Sequence, residues 1–170
     1  GKTRGDEDVK AVYRAIKTNN CSEEEKRRYD KLLTDIQDLP KFGNDNREID
    51  AMAREAAYVY TKEIEKYRNP RGGRYQAGLY PVSANVPLGA QTGATPDGRL
   101  AYTPIADGVS PAAGRDTKGP TASCNSVSAL DHLIASNGTL FNMKFHPTAL
   151  AGRNGLENFV SLVQGFFDRK

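Results

Sequence analysis

The chain has 170 residues, with 24 basic against 21 acidic side chains and a net charge of +3. Its 38% hydrophobic and 26% charged content falls in the globular range, so disorder is not the default expectation, and so small and dispersed a charge gives no argument for a nucleic-acid partner; none is expected. No run approaches the ~20 apolar residues of a membrane helix, and the opening Gly-Lys-Thr-Arg-Gly-Asp-Glu-Asp has no signal-like apolar core, so a cytoplasmic protein without membrane contact is expected.

In chain order, the first predicted helix covers Glu7 to Thr18, where Val9, Val12, Tyr13 and Ile16 recur at three- and four-residue steps behind Asp6 as a cap. The second opens on Ser22-x-x-Glu25, a capping-box pattern, carries Tyr29, Leu32, Leu33 and Ile36 as its stripe, and stops at Pro40. The third is long: Asn44 or Asn46 caps it, and Ile49, Met52, Ala53, Ala56, Tyr60, Ile64 and Tyr67 trace one apolar face. These elements make residues 1–68 helical.

Residues 69–120 hold nine of the sixteen glycines and seven of the nine prolines, which rules out one long helix. Apolar residues such as Leu79, Val86, Ile105 and Val109 alternate there with turn signals, so the segment reads as a long ordered loop, with strand fragments near Leu79 to Val86. Residues 121–170 read as helix, strand, helix. Ser126 or Ser128 opens a helix through Leu130, Leu133 and Ile134, stopped by Asn137-Gly138; Thr139 to Phe145 is a buried strand; and Leu156, Phe159, Val160, Val163 and Phe167 stripe a helix to about Asp168. One convincing strand is too few to cover five amphipathic helices, which indicates a piece of a larger protein.

The two cysteines, Cys21 and Cys124, are far apart, with no Cys-x-x-Cys spacing, so neither a disulfide framework nor a zinc site is expected. His132 and His146 have no second metal ligand at useful spacing and read as structural. No metal site is expected.

The long loop carries a more specific signal. It contains Arg71-Gly72-Gly73, then Gly78-Leu79-Tyr80-Pro81-Val82-Ser83-Ala84-Asn85-Val86-Pro87, then Gly93-Ala94-Thr95-Pro96-Asp97-Gly98-Arg99. Ala106-Asp107-Gly108-Val109-Ser110-Pro111 and Gly119-Pro120-Thr121-Ala122 follow, and Lys41-Phe42-Gly43-Asn44-Asp45 precedes the long helix. This ordered series resembles the glycyl-radical enzyme superfamily of pyruvate formate-lyase and glycerol dehydratase, closer to the dehydratase, lyase and decarboxylase branch.

The resemblance implies an α/β fold, a partial ten-stranded α/β barrel of which this chain is a helix-rich internal piece with a long Gly/Pro-rich loop. It implies a lyase or dehydratase that cleaves a C–O, C–N, C–S or C–C bond of a small polar metabolite by thiyl-radical hydrogen abstraction. The alternatives are a pyruvate formate-lyase (formate C-acetyltransferase) fragment and a non-catalytic, barrel-completing binding module. Neither a Gly-Cys-Val-Glu-like nor an Arg-Val-Ala-Gly-Tyr-like run occurs, so the catalytic Cys, the radical Gly and a glycine radical domain are expected to lie outside this chain, and no catalytic residue or bound cofactor within it.

By the same resemblance, Tyr80 faces the substrate cavity and Ser83 reaches the substrate's polar groups, with Pro81 and Val82 completing the pocket segment. Arg71, Asp97, Gly98 and Arg99 are read as structural, Asp97-Gly98 as a turn and Arg99 as an anchor to a carboxylate or to carbonyls. Cys124, outside the family's cysteine loop, reads as inert packing. The implied partners are a radical S-adenosylmethionine activating enzyme and a second copy in a homodimer.

Overall fold

A computed structural model describes residues 22–95 and 97–169. The predicted helix over Glu7 to Thr18, together with Cys21, lies outside the described residues. The chain divides into two compact units, one of Gly1–Leu39 with Gly89–Thr103 and one of Pro40–Leu88 with Pro104–Lys170.

In the first unit, helix α1 spans Glu23–Asp38 behind a complete capping box. The Glu25 amide donates to Ser22 Oγ at 3.3 Å and the Ser22 amide donates to the Glu25 carboxylate at 2.8 Å, which satisfies two otherwise free donors and holds Glu25 below the usual carboxylate range. Tyr29, Leu32, Leu33 and Ile36 are its half-buried residues, at the predicted spacing. Pro40 forces Leu39 into extended backbone and ends the helix. The 89–103 segment is a series of turns, described with the site below.

The second unit begins with α2, Arg47–Ile64, whose first amides are taken by Asn46: Oδ1 accepts from Glu48 and Ile49 at 3.1 and 3.3 Å. Asn46, not Asn44, is therefore the cap. A short helix, α3 at Asn85–Ala90, interrupts the Gly/Pro-rich segment where only strand fragments were expected. Helix α4 spans Pro120–Ser128, with Pro120 in its first turn after Gly119, whose φ of +88° a side chain would resist. The predicted helix from Ser126 to Ile134 is corrected on this point, because Pro120 starts the helix earlier. Asp131 Oδ1 accepts the Leu133 amide at 3.1 Å in a local turn, and Leu133, assigned to an apolar stripe, is 91% exposed.

Among the described residues no strand forms, and the predicted strand Thr139 to Phe145 is reduced to isolated bridges. Leu79 pairs in parallel with Thr139, and Gly108 pairs antiparallel with Phe141. Three extended pieces thus lie side by side, tied by Leu79 N–H to Gly138 O at 2.9 Å, Leu140 N–H to Leu79 O at 3.3 Å and Val109 N–H to Leu140 O at 2.9 Å. The pairing stops because the Asn142 amide donates to the side-chain oxygen of Ser110 at 2.9 Å, where a continuing ladder would need a backbone carbonyl. Gly108, at φ +60°, also bends its rail; a Cβ there would lie 2.3 Å from Leu140 O.

A 3-10 turn at Pro147–Leu150 leads into helix α5, Gly152–Asp168, which starts one turn before the predicted Leu156. Its inward residues are Phe159, Leu162 and Phe166, with ring contacts from Phe159 to Phe145 at 5.6 Å and from Phe166 to Phe141 at 5.9 Å. Of the predicted stripe only Phe159 faces in; Leu156, Val160, Val163 and Phe167 are exposed. The core of this unit is Val109, Val127 and Leu130, flanked by Phe42, Ala53, Leu79, Phe141 and Phe166.

Candidate functional site

Two grooves of the second unit carry the signature motifs. The first, about 410 Å³, has Phe42, Ala53 and Tyr60 on one side and Leu79, Tyr80 and Pro81 on the other. Tyr80 is 39% exposed, and its hydroxyl accepts a hydrogen bond from Asn137 Nδ2 at 2.8 Å, which fixes the ring. Gly78 makes room for that ring, since a Cβ there would meet Tyr80 Cε1 at 2.7 Å. Tyr80 and Pro81 line this groove; Val82 and Ser83 do not. Val82 is 64% exposed and sits at φ +56°, a conformation that a β-branched residue rarely adopts.

The second groove, about 600 Å³, is the more polar in its functional groups, with Asp107, Ser110, Asn142, Lys144 and His146 beside apolar Met143. Asn142 ties it together, its Nδ2 donating to Asp107 Oδ2 at 3.2 Å while its amide goes to Ser110. Asp107 Oδ1 is buried with no partner. An enclosed carboxylate oxygen next to a hydroxyl and an amide is an arrangement that a hydroxylated or amine-bearing small molecule satisfies. Sequence reasoning assigned no role to Asp107, Ser110 or Asn142, although Asp107-Gly108-Val109-Ser110-Pro111 stood among the motifs.

The residues read as structural take the following places. Arg99 donates to the carbonyls of Thr103 at 2.6 Å, Leu100 at 3.1 Å and Gly93, so its anchoring is to carbonyls. Thr95 Oγ1 donates to Asp97 Oδ1, and Gly98, at φ +89°, donates its amide to Thr95 O at 3.1 Å, closing the turn. Arg71 contributes only its amide, to Asn69 Oδ1 at 2.9 Å; the neighbouring Arg68 guanidinium closes that turn on Gly72 O at 3.0 Å.

Asn44 was missed as an organiser. Buried at the end of the Lys41–Asp45 run, it donates to Lys41 O and Arg115 O at 3.1 and 2.7 Å and accepts the amides of Thr117 and Lys118 at 2.8 and 3.0 Å. Cys124 is buried 3.8 Å from Met143 Sδ, and burial pushes its thiol pKa up, which disfavours the reactive thiolate. His132 is held between Thr139 Oγ1 at 2.8 Å and Val127 O at 2.9 Å, and His146 caps the 3-10 turn. No group of three or more His, Cys, Asp and Glu placed to hold a metal occurs among the described residues, and none of the described helices is long and apolar enough to cross a membrane.

Comparison with known proteins gives this architecture its context. The pyruvate formate lyase-like family model matches residues 9–89, and the glycine radical family model matches residues 105–170. The structure solved for 1,2-propanediol dehydration in Roseburia inulinivorans superposes with a TM-score of 0.89 at 62% identity, over 96% of this chain and 20% of that one. The glycerol-bound form of the B12-independent glycerol dehydratase from Clostridium butyricum gives 0.81 at 59%, over 86% of this chain and 18% of that one. Trans-4-hydroxy-L-proline dehydratase from Clostridioides difficile is 36% identical over 82% of this chain and 18% of its own length.

These relatives are dehydratases, and the structural neighbours supply the fold of which these helices and bridges are a part. The chain belongs to the glycyl-radical enzyme superfamily. It spans about a fifth of the length of the relatives it matches. The residues matched by the glycine radical model, 105–170, contain no Arg-Val-Ala-Gly-Tyr-like run.

Proposed function

We propose that this chain forms part of the substrate-facing wall of a glycyl-radical lyase of the dehydratase type, built as part of a ten-stranded α/β barrel. The reaction is cleavage of a C–O, C–N, C–S or C–C bond in a small polar metabolite. The radical glycine and the catalytic cysteine belong to polypeptide outside these residues, and a radical S-adenosylmethionine enzyme activates the whole protein, a homodimer. When present, the cysteine thiyl supplies hydrogen abstraction from an unactivated carbon.

This chain contributes orientation and exclusion of water. Asp107, Ser110 and Asn142 present a fixed set of acceptors and donors on a wall that also carries Ile105, Phe141, Met143 and Phe145. A polyol held there by its hydroxyls has its carbon skeleton against apolar side chains, so one C–H bond is positioned and water is displaced. Tyr80 and Pro81 extend the wall in the neighbouring groove, Tyr80 through a ring fixed by Asn137. The observation that carries this reading is the partnerless buried oxygen of Asp107 inside a groove bounded by the family's motifs.

The similarity to structures described for propanediol and glycerol makes small vicinal diols the first substrates to test. The 170-residue polypeptide, activated anaerobically, is expected to turn over neither diol. Turnover by it alone overturns the assignment of the radical residues to other polypeptide. In an active enzyme containing this segment, Asn142→Ala is expected to lower kcat/KM for a diol by about tenfold to a hundredfold, the worth of about 1.4 to 3 kcal/mol of orienting hydrogen bonds. An unchanged kcat/KM removes the groove from the substrate path.

A further inference from the structure

A third cluster, away from the signature grooves, joins α2 to α4. Asp50, in the first turn of α2, is only 5% exposed, and its Oδ1 is enclosed with no hydrogen-bond partner. The fully buried Ser126 of α4 lies between it and the loop before α2: Ser126 Oγ accepts the Asp45 amide at 2.9 Å, which leaves its own proton for Asp50. Asp45 carries a second carboxylate on the same side, held by Asn125 Nδ2 at 2.7 Å.

We propose that Asp50, Ser126 and Asp45 form a proton-sensitive clasp between α2 and α4, firm when the Asp50 carboxyl carries a proton and weakened when it ionises opposite Asp45. Two features carry this. Ionising Asp50 places charge on an oxygen that nothing in the chain solvates. The neighbouring charge is of like sign.

Asp45 and Asp50 border a separate groove whose other charged groups are Arg47, Arg54 and Glu55 of α2 and Arg169 at the end of α5; Tyr58 also lines it, and α4 faces it with Asn125 and Ser128, neither of them titratable. No described residue forms an ion pair or side-chain hydrogen bond with Arg47, Arg54 or Arg169, so none neutralises Asp50. Desolvation first, and then the Asp45 charge, raise the Asp50 pKa against the opposing Ser126 bond.

The sign follows. A carboxyl with a raised folded-state pKa binds its proton more tightly folded than unfolded, so the clasp has full strength below the ordinary aspartate value and loses it as pH rises through the folded value. The effect reaches the second groove through Ser123 of α4, which lines that groove and donates to Gly43 O at 3.2 Å in the loop that the clasp holds.

The test is a side-chain carbon NMR titration of Asp50 in the full 170-residue chain, with denaturation midpoints measured between about pH 4 and 7. Asp50 is expected to titrate above the ordinary aspartate value, the wild-type midpoint to fall across that interval, and Asp50→Asn to abolish the fall. Exchange of the Asp45 amide is expected to rise about tenfold for each unit by which the Asp50 pKa is displaced. A titration at or below the ordinary value, or an Asp50→Asn chain that keeps the wild-type slope, overturns the clasp. If Asp50→Asn does not fold, the wild-type titration and the Asp45 exchange decide.

Discussion

Asn44 shows how much one side chain can organise. Its amide group joins the Lys41–Asp45 loop to residues 115–118, and its removal strips a partner from the amides of Thr117 and Lys118 and from the carbonyls of Lys41 and Arg115 at once. Asn44→Ala is expected to cost about 2 kcal/mol in urea denaturation, more than one neutral hydrogen bond, because several bonds are lost together while the exposed Thr117 and Lys118 amides regain water. The run containing Asn44 was legible as a motif. Its role was not, because its partners lie more than seventy positions away and no local pattern links them. A separation of 35 positions likewise hid the pairing of Asn142 with Asp107, whereas Tyr80 could be singled out because its segment carries the family resemblance itself.

At the scale of elements, local chemistry was the reliable guide. The capping box at Ser22 and the cap at Asn46 placed both early helices, since each side chain answers amides within three residues of itself. Asn46→Ala is accordingly expected to lower stability by about 1 kcal/mol, measured as a fall in the denaturation midpoint. Elements defined by distant partners were misread. Apolar spacing near Leu130 suggested a helix, yet Pro120 had already committed the preceding turn, and the short polar side chain of Asp131 captured a local amide instead. In α5 both faces are apolar, so periodicity alone could not tell the packed face, which rests on Phe141 and Phe145, from the exposed one.

For the molecule as a whole, the motif series identified the family, and the shortage of strands pointed to a partial fold; neither revealed how little regular sheet would remain. Large apolar side chains are exposed on several elements, including Met52 and Val59 of α2, Val160 and Phe167 of α5, and Tyr102 at 74% in the first unit. The purified chain is therefore expected to enhance the fluorescence of an apolar dye strongly, and a sharply melting monomer without dye binding would contradict this. The three extended pieces add a directional element. Gly78 and Tyr80 turn their amides and carbonyls away from the bridge at Leu79, and neither has a backbone partner among the described residues. An unsatisfied rim of this kind is a template on which another extended backbone can dock. Self-association that grows with concentration and completion of a sheet by further polypeptide are then two outcomes of the same open edge, and whichever backbone arrives first blocks the other.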